Sequence, residues 1–172
     1  QRINLLYRND GNGTFTEVGA ATNMNDGEQS WSTVFEDFDN DGDLDMVATN
    51  HDATIQLFEN VDNTGFVDVT AGSGVEFNGL FLQSKFVDFD NDGYLDLLIA
   101  GGAEFLFMGN GDGTFTRATG LFPSSRAMHS FATGDLNNDG FQDVFANYGT
   151  GYITPDPSQP DRLWMNDGNG TH

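Results

Sequence analysis

Nine residues, Asp37-Phe-Asp-Asn-Asp-Gly-Asp-Leu-Asp45, decide how this 172-residue chain folds. The pattern returns as Asp88-Phe-Asp-Asn-Asp-Gly-Tyr-Leu-Asp96 and as Asp135-Leu-Asn-Asn-Asp-Gly-Phe-Gln-Asp143, so that the loops start 51 and 47 residues apart. A second motif alternates with these Asp loops; it reads Leu5-Leu-Tyr-Arg-Asn-Asp-Gly-Asn-Gly-Thr-Phe15 and recurs from Leu57, Leu106 and Leu163. A period near 50 residues with several short strands is typical of a propeller rather than of a helical solenoid.

Short runs rich in Val, Leu, Ile or Phe flank each Asp loop, and clusters of Gly, Asn and Asp bound these runs, which is the pattern of β-strands. The Asn-Gly segment of the second motif predicts a hairpin turn, because Asn and Gly tolerate positive φ. Each period is therefore expected to hold four strands, and no helix of normal length is evident. The sequence predicts an all-β fold of four-stranded antiparallel propeller blades, about three and a quarter of them.

We expect one repeat domain over 1–172, which divides into the end of a partial blade (1–27), two blades (28–77 and 78–124) and a partial blade (125–172) with an insertion at 150–160. The expected strand count is two, then two sets of four, then three, thirteen in all. A closed propeller needs at least four blades of four strands, or about 16 strands. The prediction is an open arc, or part of a larger propeller, with unpaired edges that can accept further strands.

The composition excludes several classes of function. The chain carries 27 acidic and 6 basic residues, a net charge of −21, which argues against nucleic acid and anionic membrane surfaces as partners. No apolar run reaches the ~18 residues of a membrane span. There is no Cys, so disulfides and cysteine nucleophiles are excluded. We predict that the chain is not an enzyme, because its His and Ser residues lack partners at catalytic spacing and no Gly-x-Ser-x-Gly elbow is present.

The Asp loops predict metal sites. Positions 1, 3, 5 and 9 of each loop are Asp or Asn, position 6 is Gly, and the variable position 7 suits a ligand that is a backbone carbonyl. Short oxygen-bearing side chains at alternate positions of a tight loop meet the needs of a hard cation such as Ca²⁺. An EF-hand is excluded, because position 12 is not Glu. The predicted ligands are Asp37, Asp39, Asp41, Asp43 and Asp45; Asp88, Asp90, Asp92, Tyr94 and Asp96; and Asp135, Asn137, Asp139, Phe141 and Asp143.

The Asp loop between two strands, followed by Leu-Leu-Tyr-Arg-Asn-Asp-Gly-Asn-Gly-Thr-Phe, resembles the FG-GAP/VCBS repeat, the calcium-binding blade of integrin-α-like β-propellers. The opening from Asn4 is similar to the secreted bacterial subgroup that is often joined to ASPIC/UnbV domains. The resemblance implies Ca²⁺ in about three loops, held by positions 1, 3, 5, 7 and 9, with weaker binding where Asn137 replaces Asp. Such propellers serve as adhesion modules, lectins and appended domains of secreted enzymes.

The expected function is recognition of an extracellular protein or glycan by a secreted or cell-surface module, since the submicromolar Ca²⁺ of the cytosol would leave extracellular-type sites empty. Two alternatives stay open. One is a subunit that assembles edge to edge with copies of itself into an extracellular filament or oligomer, and the other is an accessory domain of a secreted hydrolase or lyase. Tyr152 and Ile153 in the insertion, and Trp31 at the start of a first strand, are candidate ligand contacts, and Phe81 is expected to be exposed in the same way.

Overall fold

The computed structural model describes residues 4–24, 30–50, 55–102, 105–120, 122, 128–148 and 160–168, and these residues form four antiparallel sheets. The first sheet contains β1 (Tyr7–Asn9) and β2 (Phe15–Glu17). The second contains β3 (Ser30–Glu36), β4 (Asp45–Asn50), β5 (Ile55–Asn60) and β6 (Phe66–Asp68). The third contains β7 (Phe81–Val87), β8 (Asp96–Gly101), β9 (Phe105–Gly109) and β10 (Phe115–Arg117). The fourth contains β11 (Met128–Gly134), β12 (Asp143–Tyr148) and β13 (Arg162–Trp164).

The prediction of an all-β fold built from four-stranded antiparallel sheets is confirmed. In the second and third sheets the spatial order of the strands follows the chain, so that each strand pairs with the next. An Asp loop joins the first and second strands of a sheet, and an Asn-Gly type of turn joins the third and fourth. Within the described ranges, no helix is long and apolar enough to cross a membrane.

The hydrophobic core lies between neighbouring sheets. On β8, Leu97 and Ile99 belong to the apolar cluster shared with the second sheet, whereas Leu98 and Ala100 belong to the cluster shared with the fourth. Successive side chains of a strand point to opposite faces, so β8 is buried on both. This explains why its sequence is a continuous apolar run instead of an alternating one.

Phe81 is fully buried, so the expectation that it is exposed was wrong. Phe81 pairs with Gly101 in the third sheet, as Ser30 pairs with Asn50 in the second. Phe81 is therefore the equivalent of Ser30 and stands one residue before the equivalent of Trp31. Its ring therefore points into the core, where it meets Phe105 with ring centroids 5.9 Å apart. Trp31 is 42% exposed, as expected.

Two sheet faces have no neighbouring sheet among the described residues. The first-sheet face consists of Leu5, Tyr7 and Phe15, which are 59%, 55% and 63% exposed. The fourth-sheet face consists of Leu136, Phe145 and Leu163, which are 60%, 42% and 49% exposed. The equivalent residues of the third sheet are buried on both sides, namely Phe105, Phe107 and Phe115 on one and Phe89, Leu98 and Leu106 on the other. Both faces therefore carry the apolar pattern that joins sheets inside the chain.

Candidate metal site

The backbone of each Asp loop turns through two left-handed residues, an Asn at position 4 and a Gly at position 6. The φ angles are 63° at Asn40, 60° at Asn91 and 58° at Asn138, and 97° at Gly42, 92° at Gly93 and 93° at Gly140. Asn and Gly are the residue types that adopt this conformation at least cost. The loop therefore curls tightly enough to bring alternate side chains together.

Three carboxylates converge in each of the first two loops. Oxygen atoms of positions 1, 3 and 9 lie within 4.8 Å of one another, in one loop on Asp37, Asp39 and Asp45 and in the other on Asp88, Asp90 and Asp96. Like charges at this separation repel strongly in a partly buried site. Carboxylate oxygens are also the ligands that a hard divalent cation prefers.

Asp88 provides the clearest test of whether a cation fits. Its Oδ2 atom accepts a hydrogen bond of 3.0 Å from the backbone N–H of Gly93, but its Oδ1 atom is buried and has no hydrogen-bond partner. A buried carboxylate oxygen without a partner costs free energy. A cation between Asp88, Asp90 and Asp96 would supply the missing partner, so the residues of the second loop fit a metal ion.

The Asp at position 9 ties its loop to the end of the third strand. Asp96 is 1% exposed, and its Oδ2 accepts from the N–H of Phe89 at 2.8 Å while its Oδ1 accepts from the N–H of Gly109 at 2.9 Å. The same pair of bonds recurs at Asp45, with Phe38 and Asn60, and at Asp143, with Leu136 and Asn166. The sequence predicted these residues as ligands only; their second role as backbone acceptors depends on strand pairing.

Position 7 fixes the loop to the neighbouring hairpin turn through its side chain. Asp43 accepts hydrogen bonds from the backbone and the side chain of Asn63. Tyr94 instead lies over Gly111, where an added Cβ would come within 2.3 Å of its Cε1 atom. These side chains point toward the turn, which leaves the backbone carbonyl of position 7 as the predicted ligand.

Position 5 does not join the converging group. Asp41 and Asp92 each use Oδ1 to accept a hydrogen bond of 2.8 Å from the N–H of position 7. This bond holds the loop closed. Both residues stay predicted ligands through their remaining oxygen atoms.

The third loop presents fewer carboxylates. Asn137 stands at position 3, where its Oδ1 accepts from the N–H of Asp139 at 3.0 Å and its Nδ2 donates to Asp139 Oδ2 at 2.8 Å. The neutral amide lowers the number of carboxylates in this loop by one, and its Nδ2 offers Asp139 a hydrogen-bond donor. A weaker third site, as predicted, is consistent with this arrangement.

Burial raises the pKa of Asp45 and of Asp96 to about 6, and neighbouring carboxylates add to the effect. The pKa values of Asp39 and Asp90 are also raised, first by burial and then by the adjacent Asp residues. A group whose charged form is disfavoured in this way is stabilised by a nearby cation, which reverses the local electrostatics.

We expect the metal-free protein to lose stability as the pH rises from 4 to 7. The ordinary pKa of Asp is 3.8 and the folded values for Asp45 and Asp96 are about 6, so the folded state retains protons that the unfolded state has released. This contribution is fully present below the unfolded pKa and is lost as the pH passes 6. Urea unfolding in EGTA at pH 5 and pH 7 measures it, and a higher free energy of unfolding at pH 7 would contradict the prediction.

Two predicted ligand contacts, Tyr152 and Ile153, lie outside the described residues. Sequence reasoning missed Asn60 and Asn166, which serve as partners of the position-9 Asp. Their repeated place at or just beyond the end of the third strand was the available signal.

The chain repeats an antiparallel sheet whose first two strands are joined by an Asp-rich loop, and successive sheets pack face to face. This arrangement is typical of propeller-type repeat proteins. The family model described as an FG-GAP-like repeat matches residues 2–48, 37–99 and 88–146, and the chain belongs to this family. A comparison with curated proteins finds no match.

Proposed function

We propose that this chain is a non-enzymatic extracellular module that holds Ca²⁺ in its Asp loops and recognises a protein or a glycan. The main support for metal binding is the Oδ1 atom of Asp88, which is buried without a hydrogen-bond partner beside two further carboxylates. Ca²⁺ accepts six to eight oxygen ligands in flexible geometry, whereas Mg²⁺ keeps most of its waters, so the crowded carboxylates favour Ca²⁺. Membership of the FG-GAP-like repeat family supports the same choice.

The proposed role of Ca²⁺ is structural. The carboxylates of the first two loops accept hydrogen bonds from backbone N–H groups of their own loop, so a bound ion would lock the loop to the strands on either side. Extracellular modules bind Ca²⁺ with a Kd of roughly 10⁻⁴–10⁻³ M. Sites of this strength would fill outside the cell and stay empty in the cytosol, so the proposed structural role requires an extracellular location.

Isothermal titration with Ca²⁺ tests the metal proposal. We expect two sites of similar affinity and a weaker third, and we expect Asn137→Asp to tighten the third site several-fold because it restores a carboxylate at position 3. Asp112→Asn is the matched control, because it exchanges the same two residue types in a hairpin turn instead of an Asp loop. Asn is tolerated at this position of the turn: Asp112 accepts a hydrogen bond from the N–H of Thr114, and Asn12 accepts the equivalent bond from the N–H of Thr14 in the first hairpin. Absence of any Ca²⁺ binding would overturn the proposal.

Trp31 is the described residue best placed to contact a ligand. It is 42% exposed and lies at a register shift where β3 begins, which sets it apart from the regular pairing of β3 with β4. Aromatic side chains dominate the energetics of recognition surfaces. Screening against a glycan array in Ca²⁺ and in EGTA, with Trp31→Ala as the comparison, tests this part; binding that Trp31→Ala leaves unchanged would remove Trp31 from the site.

Self-assembly is a second candidate function, and the two uncovered sheet faces favour it. The two faces carry apolar residues at the positions through which neighbouring sheets pack inside the chain. The fourth-sheet face of one copy can therefore pack on the first-sheet face of another copy in the same way. Contact between copies is then expected face to face, with strand edges in a lesser role. Light scattering in ~5 mM Ca²⁺, well above the Kd range of extracellular sites, measures the mass. Phe15→Ser should reduce an assembly and Val67→Ser, at an exposed position of β6, should not; a monomer in Ca²⁺ would rule this candidate out.

A further inference from the structure

The second and third Asp loops are joined by a buried side chain. Asn166, which is 7% exposed, donates from its Nδ2 atom to the backbone carbonyl of Phe89 at 2.7 Å, across 77 positions of the chain. Phe89 is position 2 of the second loop, and its carbonyl belongs to the peptide unit that leads into Asp90, one of the three converging carboxylates. A buried hydrogen bond of this kind holds the groups that it joins in a fixed relative position.

The same two residues bind the position-9 carboxylates of both loops. The N–H of Asn166 donates to Asp143 Oδ1 at 2.9 Å in the third loop, and the N–H of Phe89 donates to Asp96 Oδ2 at 2.8 Å in the second. Three hydrogen bonds in series therefore connect Asp143 with Asp96. Both carboxylates are 1% exposed, so the ends of this series are buried as well as its middle.

A second bond joins the two loops at their exposed side. Asn91, at position 4 of the second loop, donates from its Nδ2 atom to the carbonyl of Gly140, at position 6 of the third loop, at 3.0 Å. The N–H of Gly140 donates in turn to Oδ2 of Asp135, the position-1 carboxylate of the third loop. Asn91 has the left-handed φ of 60° that curls its own loop, so the direction of its side chain depends on that curl.

The first and second loops are not linked in this way. Gly109 corresponds to Asn166, because it donates its N–H to Asp96 as Asn166 donates to Asp143, but it has no side chain that could reach the first loop. Among the residues that the structure describes, no hydrogen bond joins the first loop to the second. The three loops are therefore one separate loop and one linked pair.

We propose that the second and third loops bind Ca²⁺ cooperatively, with Asn166 and Asn91 as the positioning residues that couple them. The inference rests on the proposed Ca²⁺ function. When the second loop is filled, Asp90 and Asp96 are held in place, and the two asparagines carry this order into the third loop, which lacks a carboxylate at position 3. The third loop then needs less ordering of its own, and this difference appears as a gain in affinity.

Repulsion between bound ions acts in the opposite direction. An ion in one loop cancels negative charge that attracts an ion to the next, so charge alone would weaken binding at neighbouring sites. At 0.15 M salt the Debye length is about 8 Å, which reduces this effect. The first and second loops lie on neighbouring sheets, as the second and third do, so the first pair measures the charge effect without the asparagine links.

Ca²⁺ titration of the isotope-labelled full chain, followed by NMR at 0.15 M salt, measures each loop separately. The position-6 glycines are the reporters, because each donates its N–H to the position-1 carboxylate of its own loop; they are Gly42, Gly93 and Gly140. Asp90→Ala, which weakens the second site, should raise the Ca²⁺ midpoint at Gly140 about fivefold. Asp39→Ala is the matched control, and it should raise the midpoint at Gly93 less than about twofold, because only screened charge acts there.

Two further substitutions remove the links without changing any charge. Asn166→Gly keeps the N–H that donates to Asp143, and Asn91→Gly keeps a residue type that adopts the left-handed conformation without strain. Each should raise the midpoint at Gly140 about twofold or more, since each link carries part of the coupling. Asn40→Gly, where φ is 63° in the first loop, is the matched control and should leave that midpoint unchanged.

The double variant Asn91→Gly, Asn166→Gly completes the cycle. Addition of Asp90→Ala to it should no longer move the midpoint at Gly140, because a coupling term disappears when the link is absent. Asn91 is exposed, so Asn91→Gly alone serves if loss of the buried Asn166 prevents folding. A shift from Asp90→Ala that is the same with and without the asparagines, or no shift in either protein, would overturn the coupling and leave the Ca²⁺ function standing. No response of any glycine signal to Ca²⁺ would overturn both.

Discussion

Transfer of the protein from about 10 mM Ca²⁺ to excess EGTA is expected to lower its melting temperature by about 15 °C. At Ca²⁺ about 100-fold above a Kd of ~10⁻⁴ M, each filled site adds about 2.7 kcal/mol to the free energy of unfolding. The two carboxylate-rich loops together then contribute about 5 kcal/mol, and in a domain of this size 1 kcal/mol shifts the melting temperature by about 2–4 °C. Circular dichroism or calorimetry in the two buffers measures the difference.

Substitution of the position-3 carboxylates distinguishes stabilisation by bound Ca²⁺ from a general effect of ionic strength. In the double variant Asp39→Asn, Asp90→Asn each converging group loses one charge, so the difference between Ca²⁺ and EGTA should shrink by more than half. The melting temperature in EGTA should hold or rise, because repulsion and the cost of burying charge both fall. Mg²⁺ at equal ionic strength should stabilise much less than Ca²⁺. A melting temperature that is the same in Ca²⁺ and EGTA would remove the structural role of the metal.

Asp96→Ala is expected to destabilise the protein by about 3 kcal/mol even in EGTA. The change leaves the buried N–H groups of Phe89 and Gly109 without the carboxylate that accepts from both. Each unsatisfied buried donor costs about 1–3 kcal/mol, and relief from burying the charge offsets part of the total. Urea unfolding at pH 7 in EGTA isolates this role of Asp96 from any metal binding.

Asp92→Ala in the same loop is the comparison for that experiment. Asp92 is exposed and accepts a single hydrogen bond, from the N–H of Tyr94, so its loss in EGTA should be about 1 kcal/mol or less. If Asp96→Ala and Asp92→Ala destabilise equally, the bridge from loop to third strand is not the reason for the burial of Asp96. If Asp96→Ala has no effect in EGTA, its place in the loop is explained by the metal alone.

Much of the fold could be predicted because its signals are local. The Asn and Gly residues that turn each loop, the short apolar runs beside them and the roughly 50-residue period act within a few neighbouring residues. Alternating side-chain direction then gives β8 two buried faces, which its unbroken apolar sequence already indicated. The all-β architecture and its four-stranded sheets therefore followed from turn chemistry and periodicity.

Details that depend on pairing between distant segments could not be predicted. Phe81 is buried because its register opposite Gly101 turns it inward, one residue away from the exposed position of Trp31. Asp96 became a bridge only when Gly109, thirteen residues later, came to lie beside it. One difference between the sites is local and could be predicted: the first and second loops each gather three carboxylates, whereas the third has the amide of Asn137 at position 3.

The repeat, the strand order within a sheet and the acidic loops follow from the amino-acid sequence alone, because they depend on residue types at short spacing. The folded structure settles which apolar faces meet and which carboxylate oxygen of Asp88 has no hydrogen-bond partner. The contacts between apolar faces form where one sheet packs on the next. Their physical origin is contact between residues about 50 positions apart, which no local pattern specifies.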